Sequence, residues 1–453
     1  MAHTTEIHVG SAAGFSGDRT DAASAVVDAL IGIGGPACLI FETLAERTLA
    51  LAQLARLQDP QGGYEPLLDD LIRPILARCL AHRIPIVSNF GAANPRGAGL
   101  RILAIARAMG LRAPRVAIVH GDDVLSHVAD PGFSPELHAQ LAGRAIISAN
   151  AYIGAEAIAD ALRAGADVVV TGRVADPSLV LGPALAHHGW SLDDCDRIAG
   201  ATMAGHLLEC GAQVTGGYYA DPGVKDVPDL ARVGYPIAAI AADGSCTVFK
   251  PEGTGGAVDE HTVKEQLLYE VHDPGAYLTP DVVVDITEAS VEETGRDRVR
   301  LCGVRGHRRP DTLKVNVCFE TGWLAEGEIS YAGVRAEQRA RLAADILAQR
   351  LKGVGPLRFD FIGVASVLAD DQGRWLRDIP TGSATDVRLR AATRHADKAV
   401  ATRLMREVNA LYTCGPAGGG GVRTALRPTL GTISCPLDRA RAPAGFYLLG
   451  ETP

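Results

Sequence analysis

The sequence lacks long apolar runs and basic clusters, and each absence excludes a class of protein. No stretch approaches the roughly 18 uninterrupted apolar residues that suggest a membrane span, so we expect no membrane partner. The 44 basic residues are scattered among 53 acidic ones, and the formal net charge is −9. Without a positively charged stripe the chain offers little to a phosphate backbone. We therefore expect no nucleic-acid partner.

Paired cysteines and targeting signals are missing as well. The nine cysteines are odd in number, lie far apart and never occur as C-x-x-C. This pattern argues against a disulfide framework and against a thiolate zinc site. The opening MAHTTEIHVG contains no basic segment, apolar segment or cleavage site of the secretory type. The sequence therefore predicts a cytoplasmic protein.

The residues that are present predict an α/β fold. With 453 residues, 47% of them hydrophobic, the chain is long enough for two domains. In its first half, short β-branched runs alternate with helix-like segments. The runs are residues 6–10, 37–41, 84–88, 115–119, 144–148 and 167–171. This alternation predicts right-handed crossovers and a mainly parallel sheet with flanking helices over residues 1–235.

A second, smaller α+β domain is expected over residues 236–453. The segment YPIAAIAADGSCTVF is typical of a hairpin closed at Asp243-Gly244, a pair suited to a type I′ turn. Strand-like runs follow it, separated by turns too short for helical crossovers. The apolar content of an α/β chain of this length favours a homo-oligomer over a monomer.

Polar and glycine residues gather after the predicted strands of the first domain. In an open parallel sheet, ligands bind at the carboxyl ends of the strands. The candidates for binding a substrate or an anion there are Gly10, Ser11, Gly14, Ser16, Gly17, Arg19, Asn89, Asn94, Asn150, Arg173 and Asp176. Glu42, after the second strand, is a candidate general base. The alternatives are turns and caps for the loops, a helix-start charge for Glu42 and an internal ion pair for Arg173 and Asp176.

Three glycine-rich segments have two possible roles. GSAAGFSGDR has the spacing G-x-x-x-G-x-x-G, which is neither the dinucleotide-binding fingerprint nor a P-loop. Its backbone N–H groups suit a phosphate or carboxylate, and a plain tight turn is the alternative. The same alternatives apply to KPEGTGG and GPAGGGG. The candidate anion-binding residues of these two segments are Thr254, Gly255, Gly256, Gly418 and Gly419.

The segment ECGAQVTGGYYADPG, with the helix before it, holds the strongest catalytic candidates. His206, Glu209 and Cys210 are spaced to share one side of a last helical turn. A thiol beside an imidazole suits nucleophilic or acid/base chemistry, and the three side chains also suit a divalent metal. The alternative is a buried structural cysteine beside a surface His-Glu pair. Five downstream residues complete the set, as oxyanion donors (Thr215, Gly216 and Gly217) and as a proton source and orienting carboxylate (Tyr218 and Asp221).

Nine motifs in order resemble the acyclic terpene utilisation protein A family over roughly residues 6 to 425. They are GSAAGFSGDR, FETLAERT, NFGAANP, TGRVADPSL, HLLECGAQVTGGYYADPG, KPEGTGG, EQLLYEV, YLTPDVVVD and GPAGGGGVR. The resemblance implies a cytoplasmic metabolic protein linked to the breakdown of branched, terpene-like acids, which are handled as acyl-CoA thioesters. It implies CoA as part of a small-molecule substrate, and a divalent metal stays open as the alternative cofactor.

Three classes of function follow. The first is an enzyme that acts on a small branched carboxylate or its acyl-CoA thioester by acid/base or thiol chemistry, as a lyase, hydratase or hydrolase. The second is a metal-dependent hydrolase that uses His206, Glu209 and Cys210, or the group formed by His120, Asp122 and Asp123. The third is a non-catalytic subunit of an acyl-CoA pathway. We also expect the glycine-rich segments to meet Cys210 at a single cleft, because pockets favour the seams between domains.

Overall fold

The computed structural model describes residues 6–128, 130, 133, 135–141, 143–370, 374, 378 and 380–450. The chain forms two compact units. The first lies within Met1–Ala142, Ile147–Cys318 and Thr432–Pro453, and the second within Gly143–Ile146 and Phe319–Gly431. Residue 235, the boundary expected from the sequence, lies inside the first unit.

Twelve α-helices occur among the described residues. They are α1 (Ala22–Ile33), α2 (Glu46–Gln58), α3 (Leu68–Ile72), α4 (Leu76–His82), α5 (Pro95–Ala108), α6 (Pro135–Leu141), α7 (Glu156–Arg163), α8 (Ser178–His188), α9 (Cys195–Glu209), α10 (Glu260–Leu268), α11 (Ala336–Arg350) and α12 (Lys398–Cys414). None of them combines the length and the apolar composition that crossing a membrane requires.

The described strands are of very unequal length. They are β1 (Ile7–Ser11), β2 (Ala37–Phe41), β3 (Ile86–Ser88), β4 (Val116–His120), β5 (Ile146–Ala151), β6 (Val168–Val170), β7 (Ile237–Ile240), β8 (Cys246–Phe249), β9 (Tyr277–Leu278), β10 (Val283–Asp285), β11 (Ser290–Gly295), β12 (Arg298–Cys302), β13 (Arg305–His307), β14 (Thr312–Ala332), β15 (Leu357–Ile362), β16 (Asp386–His395), β17 (Gly420–Asp438) and β18 (Gly445–Leu448).

The first unit is built on a large mixed sheet. Its ten strands have the order β11-β12-β8-β7-β1-β2-β3-β6-β4-β18. The five strands β1, β2, β3, β6 and β4 pair in parallel, whereas β7 and β18 join them antiparallel on the two sides. The mixed α/β class is therefore confirmed. The parallel character is limited to these five strands, which are apolar on both faces as strands buried between helices must be.

One of the six predicted parallel strands belongs elsewhere. The run at 144–148 appears as β5, which pairs with β14 rather than with the parallel strands. The backbone N–H of Tyr152, just after β5, donates to the carbonyl of Lys314 in β14 at 2.8 Å. The reason lies in β4, whose two edges are already paired with β6 and β18. Alternation along the chain cannot show that a much later strand fills such an edge.

The predicted hairpin is present as β7 and β8, but its turn type differs from the prediction. A type I′ turn requires positive φ at both central residues. Only Gly244 has a positive φ, of 89°. Asp243 keeps its ordinary backbone conformation, and its carboxylate accepts hydrogen bonds from the backbone N–H and the hydroxyl of Ser245, at 2.9 and 2.7 Å.

The second unit contains an antiparallel sheet and two long helices. The strand order is β15-β16-β14-β17, with β5 also paired to β14. Residues of α11 and α12 pack on this sheet around Ile329, Tyr331 and Leu389. Gly419 lies in this unit, where an added Cβ would be 2.8 Å from the Ile329 side chain, and Gly418 has a positive φ of 70°. These contacts give both glycines a packing role.

Helix α9, which carries the catalytic candidates, is held in place by close backbone contacts. A Cβ added at Gly200 would lie 2.1 Å from the carbonyl oxygen of Gly244 in the β7–β8 turn. A Cβ added at Gly205 would lie 2.5 Å from the carbonyl oxygen of Pro177, directly before α8. Two glycines therefore let α9 approach two backbone segments, and this fixes where its last turn lies.

We expect Gly200→Ala to lower the melting temperature by about 2 °C or more, because overpacking against a fixed backbone costs roughly 1–3 kcal/mol. The matched control is Gly32→Ala on α1, where an added Cβ meets no heavy atom within 4 Å. This control should be neutral or stabilising. Differential scanning fluorimetry of both variants measures the difference, and equal melting temperatures would contradict the packing argument.

Candidate active site

Three strand ends of the parallel region bring a polar network together. Glu42 follows β2, Asn89 follows β3 and Arg173 follows β6. The amide Nδ2 of Asn89 donates to Oε1 of Glu42 at 2.8 Å, and its Oδ1 accepts from the backbone N–H of Thr43 at 2.7 Å. Both side chains are buried. The polar groups therefore lie at the strand ends, as the sequence predicted. The side chain of Asn89 is hydrogen-bonded to Glu42 and does not point into open space.

Arg173 is the most deeply buried charge of this network. Its side chain is 1% exposed and donates to the carbonyl oxygens of Leu44 and Val174 and to the carboxylate of Asp176. Its guanidinium also lies 4.6 Å from the ring centroid of Tyr152. The ion-pair alternative for Arg173 and Asp176 is therefore the arrangement that the structure contains.

Glu42 titrates near neutral pH in this environment. Burial raises the pKa of its carboxyl, while the charge of Arg173 and hydrogen bonds from the Leu44 N–H and Asn89 oppose the rise, and the result is a pKa of about 7. The nearby Glu209 carboxylate contributes to the rise. Glu42 can therefore exchange a proton under ordinary cellular conditions.

His206 and Glu209 form a buried pair on the last turn of α9. Nδ1 of His206 lies 3.0 Å from Oε1 of Glu209, and the two side chains are 1% and 12% exposed. The carbonyl of His206 accepts a hydrogen bond from Nε2 of Gln266 at 3.2 Å. Within the described part of the chain, Nε2 of His206 and Oε2 of Glu209 have no hydrogen-bond partner although both atoms are buried.

The pair favours a protonated imidazole. Burial alone would lower the pKa of His206, but the charge and hydrogen bond of Glu209, a hydrogen bond to the backbone of Gln266 and the charge of Glu270 outweigh it. The net pKa of His206 is raised. When the imidazole is protonated, Nε2 carries an N–H that can donate a proton to a bound ligand.

A cavity of about 510 Å³ adjoins this pair. His206, Glu209 and Asp176 line it. Sequence analysis missed its other polar walls, which are chiefly Tyr152, Tyr277 and Lys314. The ring of Tyr277 lies 5.4 Å from that of His206, centroid to centroid. The only sequence signal for Lys314 was a charged residue within the apolar run TLKVNV. Its position near the site could not be predicted, because it depends on how β14 crosses the unit.

Tyr152 and Lys314 are tied together through Glu46. The hydroxyl of Tyr152 donates to Glu46, and Nζ of Lys314 lies 3.2 Å from Oε1 of Glu46 and 4.5 Å from the Tyr152 ring centroid. Burial would raise the pKa of Glu46, but these two partners and a backbone hydrogen bond lower it to about 2. Two residues of the cavity wall, Tyr152 and Lys314, therefore share one ionised carboxylate.

Cys210 is close to the pair but lacks the properties of a nucleophile. Burial, together with the charge of Glu209, raises the pKa of its thiol to about 12. A thiol with that pKa stays protonated at neutral pH, and the thiolate is the reactive form. Gly14 lies against this residue, since an added Cβ would be 2.4 Å from the carbonyl carbon of Cys210. The predicted meeting of Gly14 and Cys210 is therefore present.

The glycine-rich loop after β1 is occupied by its own carboxylate. Asp18 accepts the backbone N–H groups of Gly14 and Arg19, both at 2.8 Å, and the hydroxyl of Tyr235 at 2.5 Å. Arg19 forms an ion pair with Asp21 at 2.9 Å. Asp18 therefore takes the place expected for a bound anion. The remaining members of this loop's candidate set, Gly10, Ser11, Ser16 and Gly17, do not line the cavity at His206.

The oxyanion candidates after Cys210 are used within the chain. The N–H groups of Gly216 and Gly217 donate to the carbonyls of Gln213 and Ala212, at 3.0 and 2.8 Å. The hydroxyl of Thr215 lies 2.6 Å from the Gly234 carbonyl. Tyr218 is 90% exposed, and neither it nor Asp221 lines a cavity of the described part. These positions do not assemble around His206.

The remaining glycine segment lines a separate cavity. Thr254, Gly255 and Gly256 border a space of about 1240 Å³ that shares no lining residue with the cavity at His206. The expectation of a single cleft is therefore wrong for Gly255. Asn94 caps α5, with Oδ1 accepting the Gly97 N–H at 2.9 Å. No group of three or more His, Cys, Asp or Glu side chains among the described residues is arranged to hold a metal ion.

The fold and this site define a mixed α/β protein with a buried histidine–carboxylate pair at the wall of a cavity. The family model "Acyclic terpene utilisation family protein AtuA" matches residues 7–447, and the chain therefore belongs to that family. No curated protein and no solved structure is significantly similar to it.

We expect the His206 imidazole to titrate above its ordinary range, and Glu209→Gln to lower its pKa, since burial then dominates. A raised folded-state pKa stabilises the fold below the unfolded-state value, and this contribution is lost as the pH rises through the folded-state pKa. NMR titration of the imidazole C–H signals measures both proteins, with the His206 signal among the 13 histidines identified from its loss in His206→Gln. The control is Glu288→Gln, an exposed carboxylate. An unchanged His206 pKa in Glu209→Gln would contradict the pairing.

We expect Cys210 to resist alkylation in the native protein, because its thiol is protonated and largely buried. Cys414, which is exposed, serves as the internal control and should react first. Peptide mass spectrometry after iodoacetamide treatment at neutral pH distinguishes the two sites. Modification of Cys210 as fast as Cys414 would restore the nucleophile interpretation.

Proposed function

We propose that the protein is an enzyme of acyclic terpene utilisation that acts on a small branched carboxylate or its acyl-CoA thioester by acid/base chemistry. The observation that carries the proposal is the pair of buried, unpartnered atoms, Nε2 of His206 and Oε2 of Glu209, beside one cavity. Leaving a buried polar atom without a partner costs roughly 1–3 kcal/mol. Such a cost is expected where a substrate supplies the missing partners.

The two atoms have complementary roles. Protonated His206 donates from Nε2 to a substrate oxygen or to a developing carbanion, and Glu209 holds Nδ1 in the matching orientation. The free Oε2 of Glu209 accepts a proton from a hydroxyl or water. One donor and one acceptor side by side suit addition or elimination of water next to a carbonyl group, which is the chemistry of a hydratase or lyase.

The rest of the cavity wall suits a branched hydrocarbon. Its apolar members include Leu278 and Leu313 and three prolines, namely Pro280, Pro310 and Pro436. Apolar walls with a few placed polar groups are typical of small-molecule sites. Carboxylates partner the cations near the wall, since Arg173 faces Asp176 and Lys314 faces Glu46.

Acid/base chemistry is favoured over the other classes weighed from the sequence. The raised pKa of Cys210 opposes thiol chemistry. The ligand group that a metal-dependent hydrolase needs is not assembled among the described residues. The cytoplasmic location, the homo-oligomeric state and CoA as part of the substrate belong to this proposal as expectations.

The test is conversion of a matched substrate pair, 3-methylbut-2-enoyl-CoA and free 3-methylbut-2-enoate, followed by mass spectrometry in H2O and D2O. We expect water addition, or deuterium exchange next to the carbonyl, with at least one of the two. His206→Gln should lower the rate by about 100-fold or more, the usual contribution of a general acid. Glu209→Gln should lower it as well and should shift the pH profile to lower pH.

The matched controls are His261→Gln and Glu288→Gln, which change exposed residues outside the cavity. Both should keep the wild-type rate, and Cys210→Ala should keep most of it. The proposal fails if neither compound is converted or exchanged, or if His206→Gln folds normally and retains full activity.

A further inference from the structure

A third cavity, of about 200 Å³, lies at the end of β4 and the start of α5. It shares no lining residue with the cavity at His206. Two groups of polar residues line it, named the acidic side and the basic side for their residue types. The acidic side consists of Asp122, Asp123 and Asn150, and the basic side of Arg56 and Arg96.

The acidic side has an unfilled hydrogen-bond position. Asn150 is 2% exposed, and its Nδ2 donates to Oδ2 of Asp122 at 3.0 Å, which fixes the orientation of the amide. Its Oδ1 is buried, and no described residue donates to it. Asp123 pairs with Asn150 through a backbone bridge, so its carboxylate belongs to the same side. An unpartnered acceptor beside two carboxylates suits a ligand that carries several N–H donors.

The basic side has two arginines without carboxylate partners. Among the described residues, neither Arg56 nor Arg96 forms an ion pair, whereas Arg173 and Lys314 near the His206 cavity each do. Arg56 donates to the carbonyl of Ala93, and Arg96 lies in the first turn of α5. The guanidinium fork and the positive end of the 14-residue α5 both favour a carboxylate.

The backbone between the two sides is strained. Ala92, which lines the cavity, has a φ of 43°, a conformation that residues with a Cβ rarely adopt. Its carbonyl oxygen and Oδ2 of Asp122 both lie near Gly172, where an added Cβ would be 3.1 and 2.6 Å from them. The strained loop therefore lies close to Asp122, and strain of this kind is often kept at binding sites.

We propose that this cavity binds a small zwitterionic amino acid. Its ammonium group donates to Oδ1 of Asn150 and faces Asp122 and Asp123, and its carboxylate pairs with Arg56 and Arg96. The apolar residues Ile118 and Val119 border the space left for a short aliphatic side chain. Burial raises the pKa of Asp122, and a bound ammonium group would counter that effect. This inference does not depend on the function proposed for the His206 site.

The site is linked to the active-site network by one carboxylate. Oδ2 of Asp122, which accepts from Asn150, also accepts the backbone N–H of Arg173 at 2.8 Å. Arg173 in turn holds Asp176 at the wall of the His206 cavity. A ligand that reorients Asn150 or Asp122 would therefore act on the residue that orders the strand-end loops, and the amino acid is a candidate regulator.

The test is isothermal titration calorimetry of the full-length protein with L-valine and two analogues. The first analogue, 2-hydroxy-3-methylbutanoate, lacks the ammonium group, and the second, 2-methylpropylamine, lacks the carboxylate. We expect valine to bind and each analogue to bind at least about tenfold more weakly, since either loss leaves one charged side unpaired. Equal binding of either analogue, or the absence of valine binding, overturns the proposal.

Surface variants locate the binding. Arg96→Gln and Asp123→Asn should each weaken valine binding about tenfold or more. Both residues are exposed, and the new asparagine can still accept the Leu125 N–H that Asp123 accepts at 3.1 Å. The matched control is Arg107→Gln, on the same helix α5 but away from the cavity, which should bind valine normally. Valine binding that survives both site variants, or that is lost in the control, contradicts the assignment. Normal valine binding by His206→Gln is expected and separates this site from the proposed active site.

Discussion

The site depends on the hydrogen bonds and the ion pair that the guanidinium of Arg173 forms. A charge that is 1% exposed is very costly to bury unless every donor finds an acceptor. Its donors bind the Leu44 carbonyl after β2 and the Val174 carbonyl and Asp176 carboxylate after β6, and its flat face covers Tyr152. Loops from different strands are therefore held in one arrangement. Removal of this charge would leave Asp176 and the carbonyls without their partner. The loops would then no longer be bound to one shared side chain.

The same low-dielectric surroundings contain two groups, Glu42 and His206, whose pKa values both differ from the ordinary ones. Burial raises the pKa of Glu42 to about 7, whereas for His206 the neighbouring carboxylates outweigh burial and raise the pKa of the ring. Burial disfavours the ionised carboxyl of Glu42, whereas the charged form of the imidazole is stabilised by the carboxylates next to it. Both states follow from which charges are close, and the residue types alone would not reveal them. Burial and the charge of Glu209 likewise raise the pKa of the Cys210 thiol, one residue away, and keep it in its unreactive protonated form.

The sequence allowed much of the site to be predicted, for reasons that are local. Parallel strands end on one edge, so Glu42, Asn89 and Arg173 were expected together, and helical spacing placed His206 beside Glu209. Tyr277 and Lys314 could not be found, because their approach depends on strands far along the chain. The loop at Gly14 was expected to bind an anion, but nothing in its spacing shows that Asp18 four residues later takes that place. The prediction that β5 joins the parallel strands was wrong for a similar reason, because the partner of a strand depends on which strand edges remain unpaired.

The strand β18 has a consequence for how the chain acquires its structure. It pairs with β4 and closes the edge of the large sheet, yet it is the last strand of the described chain. During synthesis, the edge of β4 that β18 will cover stays exposed until Gly445–Leu448 has left the ribosome. Such a delay invites premature pairing with other chains. The growing protein is therefore expected to rely on chaperones that shield unpaired strands until β18 is available.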